Sequence, residues 1–181
     1  MTTITPRWEQ LSRRTAYAQG RLQVHEDEVI QPDGARSGFR VVEVPDGALA
    51  VAEDDEGRIA LVRYASYVHG EVLTPPGGTI EPGETPEAAA RRELAEEAGI
   101  TATTWRRLGE AALMAKNTCR LHMYAASGLT VGQQKLNGTE TGMTLEWWPL
   151  PDAVKAAMDG RMVLSGASLA VLMYAQEKGA R

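Results

Sequence analysis

Gly78-Thr79-Ile80-Glu81-Pro82-Gly83-Glu84-Thr85-Pro86-Glu87-Ala88-Ala89-Ala90-Arg91-Arg92-Glu93-Leu94-Ala95-Glu96-Glu97-Ala98-Gly99-Ile100 is the most strongly patterned segment of the chain. Its first part is loop-like, rich in Gly and Pro; its second is helical. Thr85 can cap free amides, Pro86 suits the first helical position and Glu87 complements the helix dipole. Gly99 suits the left-handed position past the end, so the pattern predicts a helix over residues 86–98. At 100° per residue, Glu93, Glu96 and Glu97 fall within a sector of roughly 100°, with Ala88, Leu94, Ala95 and Ala98 towards the other side. Like charges at these spacings repel by about a few tenths of a kcal/mol per pair. A divalent cation would offset that repulsion, because magnesium takes oxygen ligands and is held by one or two carboxylates together with substrate phosphates.

The first 47 residues read as an antiparallel extension. Arg21 to Ile30 and Gly38 to Val44 carry β-formers around the turn Pro32-Asp33-Gly34. Ala48 to Ala52 is a second β-rich stretch, and Ile59 to Tyr64 is expected to be its partner across the turn Asp54-Asp55-Glu56-Gly57. The segment Thr74-Pro75-Pro76-Gly77-Gly78 leads into the opening stretch. Beyond it, strands are expected at Trp105 to Ala112, Arg120 to Ala125 and Met143 to Trp148, with Thr130 to Gly142 as a long loop. Pro151 to Met158 and Ser165 to Glu177 carry apolar residues at helical spacing. Strands and helices mix without regular βαβ alternation, which indicates an α+β fold with a mixed sheet.

The 181 residues, 43% hydrophobic and 24% charged, suit one globular domain with a small appendage. The net charge of −5 argues against nucleic acid as a partner, since that partner requires a basic surface. A small anionic substrate is compatible, received through cations and a few placed arginines. The sequence contains no apolar run of membrane-spanning length, and Met1 to Trp8 lacks the features of a signal peptide, so no membrane association and a cytoplasmic location are expected. Cys119 is the single cysteine and reads as structural. His25, His69 and His122 have no zinc-like spacing.

Residues 78–100 resemble the Nudix box: Gly, five residues, Glu, seven residues, Arg-Glu-aliphatic, any residue, Glu-Glu, any residue, Gly-aliphatic. Gly78, Glu84, Arg92, Glu93, Leu94, Glu96, Glu97, Gly99 and Ile100 meet every fixed position. The resemblance implies a Nudix-type α/β/α sandwich that hydrolyses a nucleoside diphosphate linked to another moiety, with magnesium or manganese as cofactor. Physical reasoning agrees. A carbonyl around Gly77 can join Glu93 and Glu97 on one ion, while Glu96 serves a second ion or a metal-bound water, giving two or more ions per site. Arg92 can pair with Glu84 and brace loop against helix. A loop acid, Glu140, lies near where relatives carry a catalytic glutamate.

Outside the box the chain is similar to the ADP-ribose and nucleoside diphosphate-sugar pyrophosphatase branch, in its N-terminal hairpin, in Ile59-Ala60-Leu61-Val62-Arg63 and in Asp159-Gly160-Arg161 before a helix. That branch implies a homodimer formed through the N-terminal strands, so residues 1–47 are the expected dimerisation element and residues 48–181 the hydrolase domain. Tyr64-Ala65-Ser66 stands where relatives carry Gln-Tyr-Arg, and Leu73-Thr74-Pro75 where they carry Glu-Leu-Pro, which leaves the exact substrate open. Arg63 and Arg40 are candidate phosphate contacts and Phe39 a candidate base contact. Two alternatives stand beside this reading: a house-cleaning hydrolase of modified nucleoside triphosphates, and a non-catalytic nucleotide-sensing module.

Overall fold

The computed structural model describes residues 7–179. The expectation about the first residues, and the outer ends of both expected domain ranges, lie outside them. The strands are β1 (Glu9–Gln19), β2 (Leu22–Ile30), β3 (Arg36–Glu43), β4 (Gly47–Ala52), β5 (Arg58–Ser66), β6 (Gly70–Thr74), β7 (Gly77–Thr79), β8 (Ile100–Ala112), β9 (Arg120–Val131) and β10 (Thr144–Pro149). The helices are α1 (Pro86–Glu97), α2 (Leu150–Met158) and α3 (Ser165–Lys178).

The chain divides into two compact units, one of residues up to Pro45 together with Met114–Cys119, the other Asp46–Leu113 with the remainder from Arg120. In the first, β1, β2 and β3 form an antiparallel sheet, so the expected hairpin carries a third strand ahead of it. Its turn after β2 places Gly34 at φ 87, a left-handed conformation that glycine adopts without steric cost. The segment between β8 and β9 returns here, where the Val42 amide donates to the Lys116 carbonyl and the Thr118 amide to the Val42 carbonyl.

The second unit is a layered mixed structure. Its two sheets run β10-β5-β6 and β7-β4-β9-β8, and β4 with β9 is the parallel pair. One expectation is corrected here: β4 and β5 are not hairpin partners but lie in different sheets, linked by a single bridge between Glu53 and Ile59. The reason is burial. Ala48-Leu49-Ala50-Val51-Ala52 is a continuous apolar run buried on both faces, the signature of an interior strand rather than half of an exposed hairpin.

Alternation along the strands sorts side chains into two cores. Leu49, Val51, Ile59, Leu61 and Leu73 pack with α2 and α3 through Leu150, Ala153, Ala170 and Val171. Ala48, Ala50, Ala52, Ala60 and Val62 pack with α1 through Ala89, Ala90, Leu94 and Ala98. Helices therefore cover both sides of the sheet layer, giving the α/β/α sandwich of the α+β class expected from the sequence. The α1 side is lined mostly by alanine, which lets the helix come close to the strands and to the loop before it.

Candidate active site

Helix α1 begins at Thr85, whose hydroxyl accepts from the Ala88 amide at 3.2 Å, and Pro86 follows in the first turn. It ends one residue before the sequence-expected 98, with Ala98 as the cap and Gly99 at φ +66. A Cβ on Gly99 would lie 2.7 Å from the Gln133 carbonyl carbon, so glycine serves both the backbone turn and the close passage of the 132–135 loop. The buried face differs from the helical-wheel expectation: Ala88 is exposed, whereas Glu93 and Glu97 are buried beside Ala89, Ala90 and Leu94. Two carboxylates are thus pressed inward and only Glu96 stays half-exposed.

These charges are compensated locally. Arg92 donates from Nε and Nη2 to both oxygens of Glu84, each at 3.1 Å, and from Nη2 to the Thr79 carbonyl at 3.0 Å. Its Nη1 reaches Glu93 at 2.7 Å and Glu96 at 3.2 Å. Glu97 accepts from the Gly77 amide at 2.8 Å, so the loop backbone contributes a donor to this carboxylate. Loop and carboxylates are in intimate contact, since a Cβ on Gly78 would fall 2.4 Å from Glu93 Oε1.

Burial pushes Glu97 up to about 8, only partly countered by the Gly77 amide, with Glu93, Glu140 and Glu96 adding repulsion. Glu93 is raised chiefly by desolvation, opposed by Arg92 and reinforced by Glu96 and Glu140. Glu84 is lowered by its hydrogen bonds from Arg92. A carboxylate set that disfavours its own ionisation this strongly is matched to an added hard cation. The donor chemistry, all oxygen beside a glycine backbone, fits magnesium or manganese. Among the described residues no group of three acidic, histidine or cysteine side chains is already arranged to hold a metal ion. Arg92 lies between Glu93 and Glu96, and Glu97 turns to Gly77. An ion here would take few protein ligands and leave positions open for phosphate.

Glu140 closes a 3-10 turn, Gly138–Glu140, and its charge is felt at Glu93 and Glu97. The loop that carries it is tied to the end of α1: the Lys135 amide donates to the Glu96 carbonyl, Gln134 Nε2 to the Glu97 carbonyl and the Gly132 amide to the Gly99 carbonyl. Sequence reading missed these anchors and also Asn137, although Asn137-Gly138-Thr139-Glu140 has the spacing of a capping box.

The candidate substrate contacts each have partners of their own. Arg63 donates to Glu146 at 2.5 and 3.2 Å and to Glu71 at 2.6 Å. It lies on the strand face of Leu61 and Leu73, opposite to Tyr64, and one donor on each of its three nitrogens is engaged by a carboxylate on the α2–α3 side. Tyr64 follows Ala60 and Val62 on the α1 side of β5, half-buried, and its hydroxyl is raised by desolvation and by the charge of Glu97. Arg40 and Phe39 belong to the first unit, where Arg40 pairs with Glu26 at 3.4 Å and Phe39 meets the Trp8 ring edge-on at 5.4 Å.

Comparison with known proteins gives the same picture. A family model for the NUDIX domain matches residues 44–164. The chain is 32% identical over 171 residues to an ADP-ribose pyrophosphatase of Mycobacterium tuberculosis, covering 91% of this chain and 82% of that one. It is 30% identical over 179 residues to a CMP-5'-(N-acetyl-N-hydroxy-3-aminopropyl)phosphonate hydrolase of Streptomyces rubellomurinus, covering 97% and 85%. A crystal structure of an ADP compounds hydrolase superposes with a TM-score of 0.83 over 99% of this chain and 100% of the other, at 20% identity, a likeness of fold.

Proposed function

Because this chain belongs to the Nudix family, we propose that it is a pyrophosphohydrolase cutting the diphosphate of a nucleoside diphosphate derivative, of the ADP-ribose or nucleotide-sugar type. The observation that carries this reading is the cluster of Glu93, Glu96 and Glu97 against the Gly77-Gly78 backbone, with Glu140 within electrostatic reach. The substrate class draws support from the named activities of the two relatives in Mycobacterium tuberculosis and Streptomyces rubellomurinus.

Glu93, Glu96, Glu97 and the loop at Gly77 would hold magnesium or manganese, with Glu96 serving a second ion. When bound, the cation would supply charge neutralisation on the phosphate oxygens and make nearby water more acidic. Glu140 accepts a proton from the attacking water as its oxygen bonds to phosphorus and the bridging P–O bond breaks, the leaving phosphate carrying away the electron pair. Arg92 and Glu84 fix the loop to the helix, so that the backbone at Gly77 and the carboxylates keep one geometry.

The test is metal-dependent release of nucleoside monophosphate from a panel of ADP-ribose, nucleotide sugars, dinucleoside polyphosphates and nucleoside triphosphates. Turnover confined to triphosphates would favour the house-cleaning alternative. No turnover of any member by folded, metal-loaded protein would favour the sensing module.

A homodimer formed through the first unit is part of the same proposal. All residues of β1 are exposed, and Trp8, Leu11 and Tyr17 stand 54%, 41% and 49% accessible.

A further inference from the structure

The 3-10 turn at Gly138–Glu140 spans too few residues to have a helix to stabilise, yet both oxygens of its carboxylate are held. The Asn137 amide donates to Glu140 Oε2 at 2.9 Å, and Asn137 Nδ2 donates to Glu140 Oε1 at 2.7 Å. Asn137 Oδ1 accepts from the Thr139 amide at 3.2 Å and from its hydroxyl at 3.0 Å. The capping box accounts for this acceptor and for the Asn137 amide on Oε2, both of which Ser, Thr or Asp would supply equally. The Nδ2 grip is what an amide adds, because Asp has no donor and a hydroxyl is too short to do both tasks at once.

Around this grip the segment is fixed at both ends. Residues 132–135 hang from the last carbonyls of α1. The Met143 amide donates to the Glu140 carbonyl at 2.9 Å, and Met143 is buried in the α1-side core. No ion pair engages Glu140 among the described residues; its orientation comes from Asn137. We propose that Asn137 is a positioning residue of the reaction, holding the Glu140 carboxylate by both oxygens in one orientation towards the helix carboxylates so that proton transfer from water starts from a fixed geometry. The inference rests on the reading of Glu140 as proton acceptor given above.

Four proteins test it, Asn137→Ala, Glu140→Gln, the double variant and Asn137→Asp, assayed on whichever panel substrate the native protein turns over fastest. Melting temperature and Mn2+ binding are measured on each. Glu140→Gln is expected to lower kcat by about 10²–10⁴-fold, the range for a lost general base. Asn137→Ala is expected to lower kcat by about tenfold, the scale of a lost hydrogen bond to a charged group, with KM and Mn2+ affinity unchanged. In the Glu140→Gln background the same change is expected to have no further effect. A part that was merely structural would lower both backgrounds equally. Asn137→Asp keeps the acceptor for Thr139 and so keeps the turn, yet sets a second carboxylate against Glu140; it is expected to fall below Asn137→Ala in kcat and serves if the alanine variant unfolds.

Asn137→Ala with native kcat while Glu140→Gln is crippled would overturn the inference and leave the reading of Glu140 standing. Equal losses in the two backgrounds would overturn it as well. Native turnover by Glu140→Gln would sink both the reading and the inference.

Discussion

At Gly77 and Gly78 two adjacent glycines do different work. A Cβ on Gly77 would meet Leu49 Cβ at 2.4 Å and the Ala48 carbonyl oxygen at 2.6 Å, atoms of a buried strand that cannot withdraw. A Cβ on Gly78 would meet only the end of the Glu93 side chain, which can swing aside. Gly77→Ala is therefore expected to lower the melting temperature sharply, whereas Gly78→Ala is expected to fold and lose Mn2+ affinity; thermal melts and metal titration separate the two. Glu97 gives a second prediction. Its pKa of about 8 in the folded chain lies above the unfolded carboxylate value of 4.5, so the folded state binds more protons between them. Stability of the metal-free protein is expected to be fullest below that window and to fall as pH rises from about 5 to 8. Glu97→Gln is expected to flatten that limb, as read by urea denaturation in the presence of a chelator.

The decisive element is α1. Its polar half was legible because caps and spacing are local: Thr85, Pro86 and Gly99 act within a few residues of where they stand. Its packing was only partly legible, since the helical wheel did not foresee Glu93 and Glu97 turning inward against the loop. Leu94, fully buried between the alanines of α1 and β4, is the apolar anchor of the helix. Leu94→Ala is expected to cost about 2–5 kcal/mol in urea unfolding, as for other large-to-small core changes. Thr85→Ala is expected to cost about 1 kcal/mol, the usual worth of an N-cap. The loop after β9 is the opposite case. Its composition says loop, but its tie to the carbonyls of Glu96, Glu97 and Gly99 is a tertiary event that no short-range pattern announces.

For the molecule as a whole, the outstanding prediction is assembly. A homodimer formed through the exposed β1 is expected to show twice the 19.6 kDa chain mass in light scattering, and Leu11→Asp with Tyr17→Asp is expected to halve it while the melting temperature holds. Among the described residues no helix is long and apolar enough to cross a membrane. The family, the capped helix with its carboxylates and the glycine loop before it are legible along the chain, because they depend on fixed spacings within residues 78–100 and on backbone conformations that glycine or proline favours. Packing set the rest: β4 pairs with β9 rather than β5, Arg63 and Tyr64 point to opposite sides, and Glu140 is held by Asn137 in a loop tied to α1. Strand partners far apart in the chain are chosen by which faces can be buried together, and that is a property of the whole packed molecule.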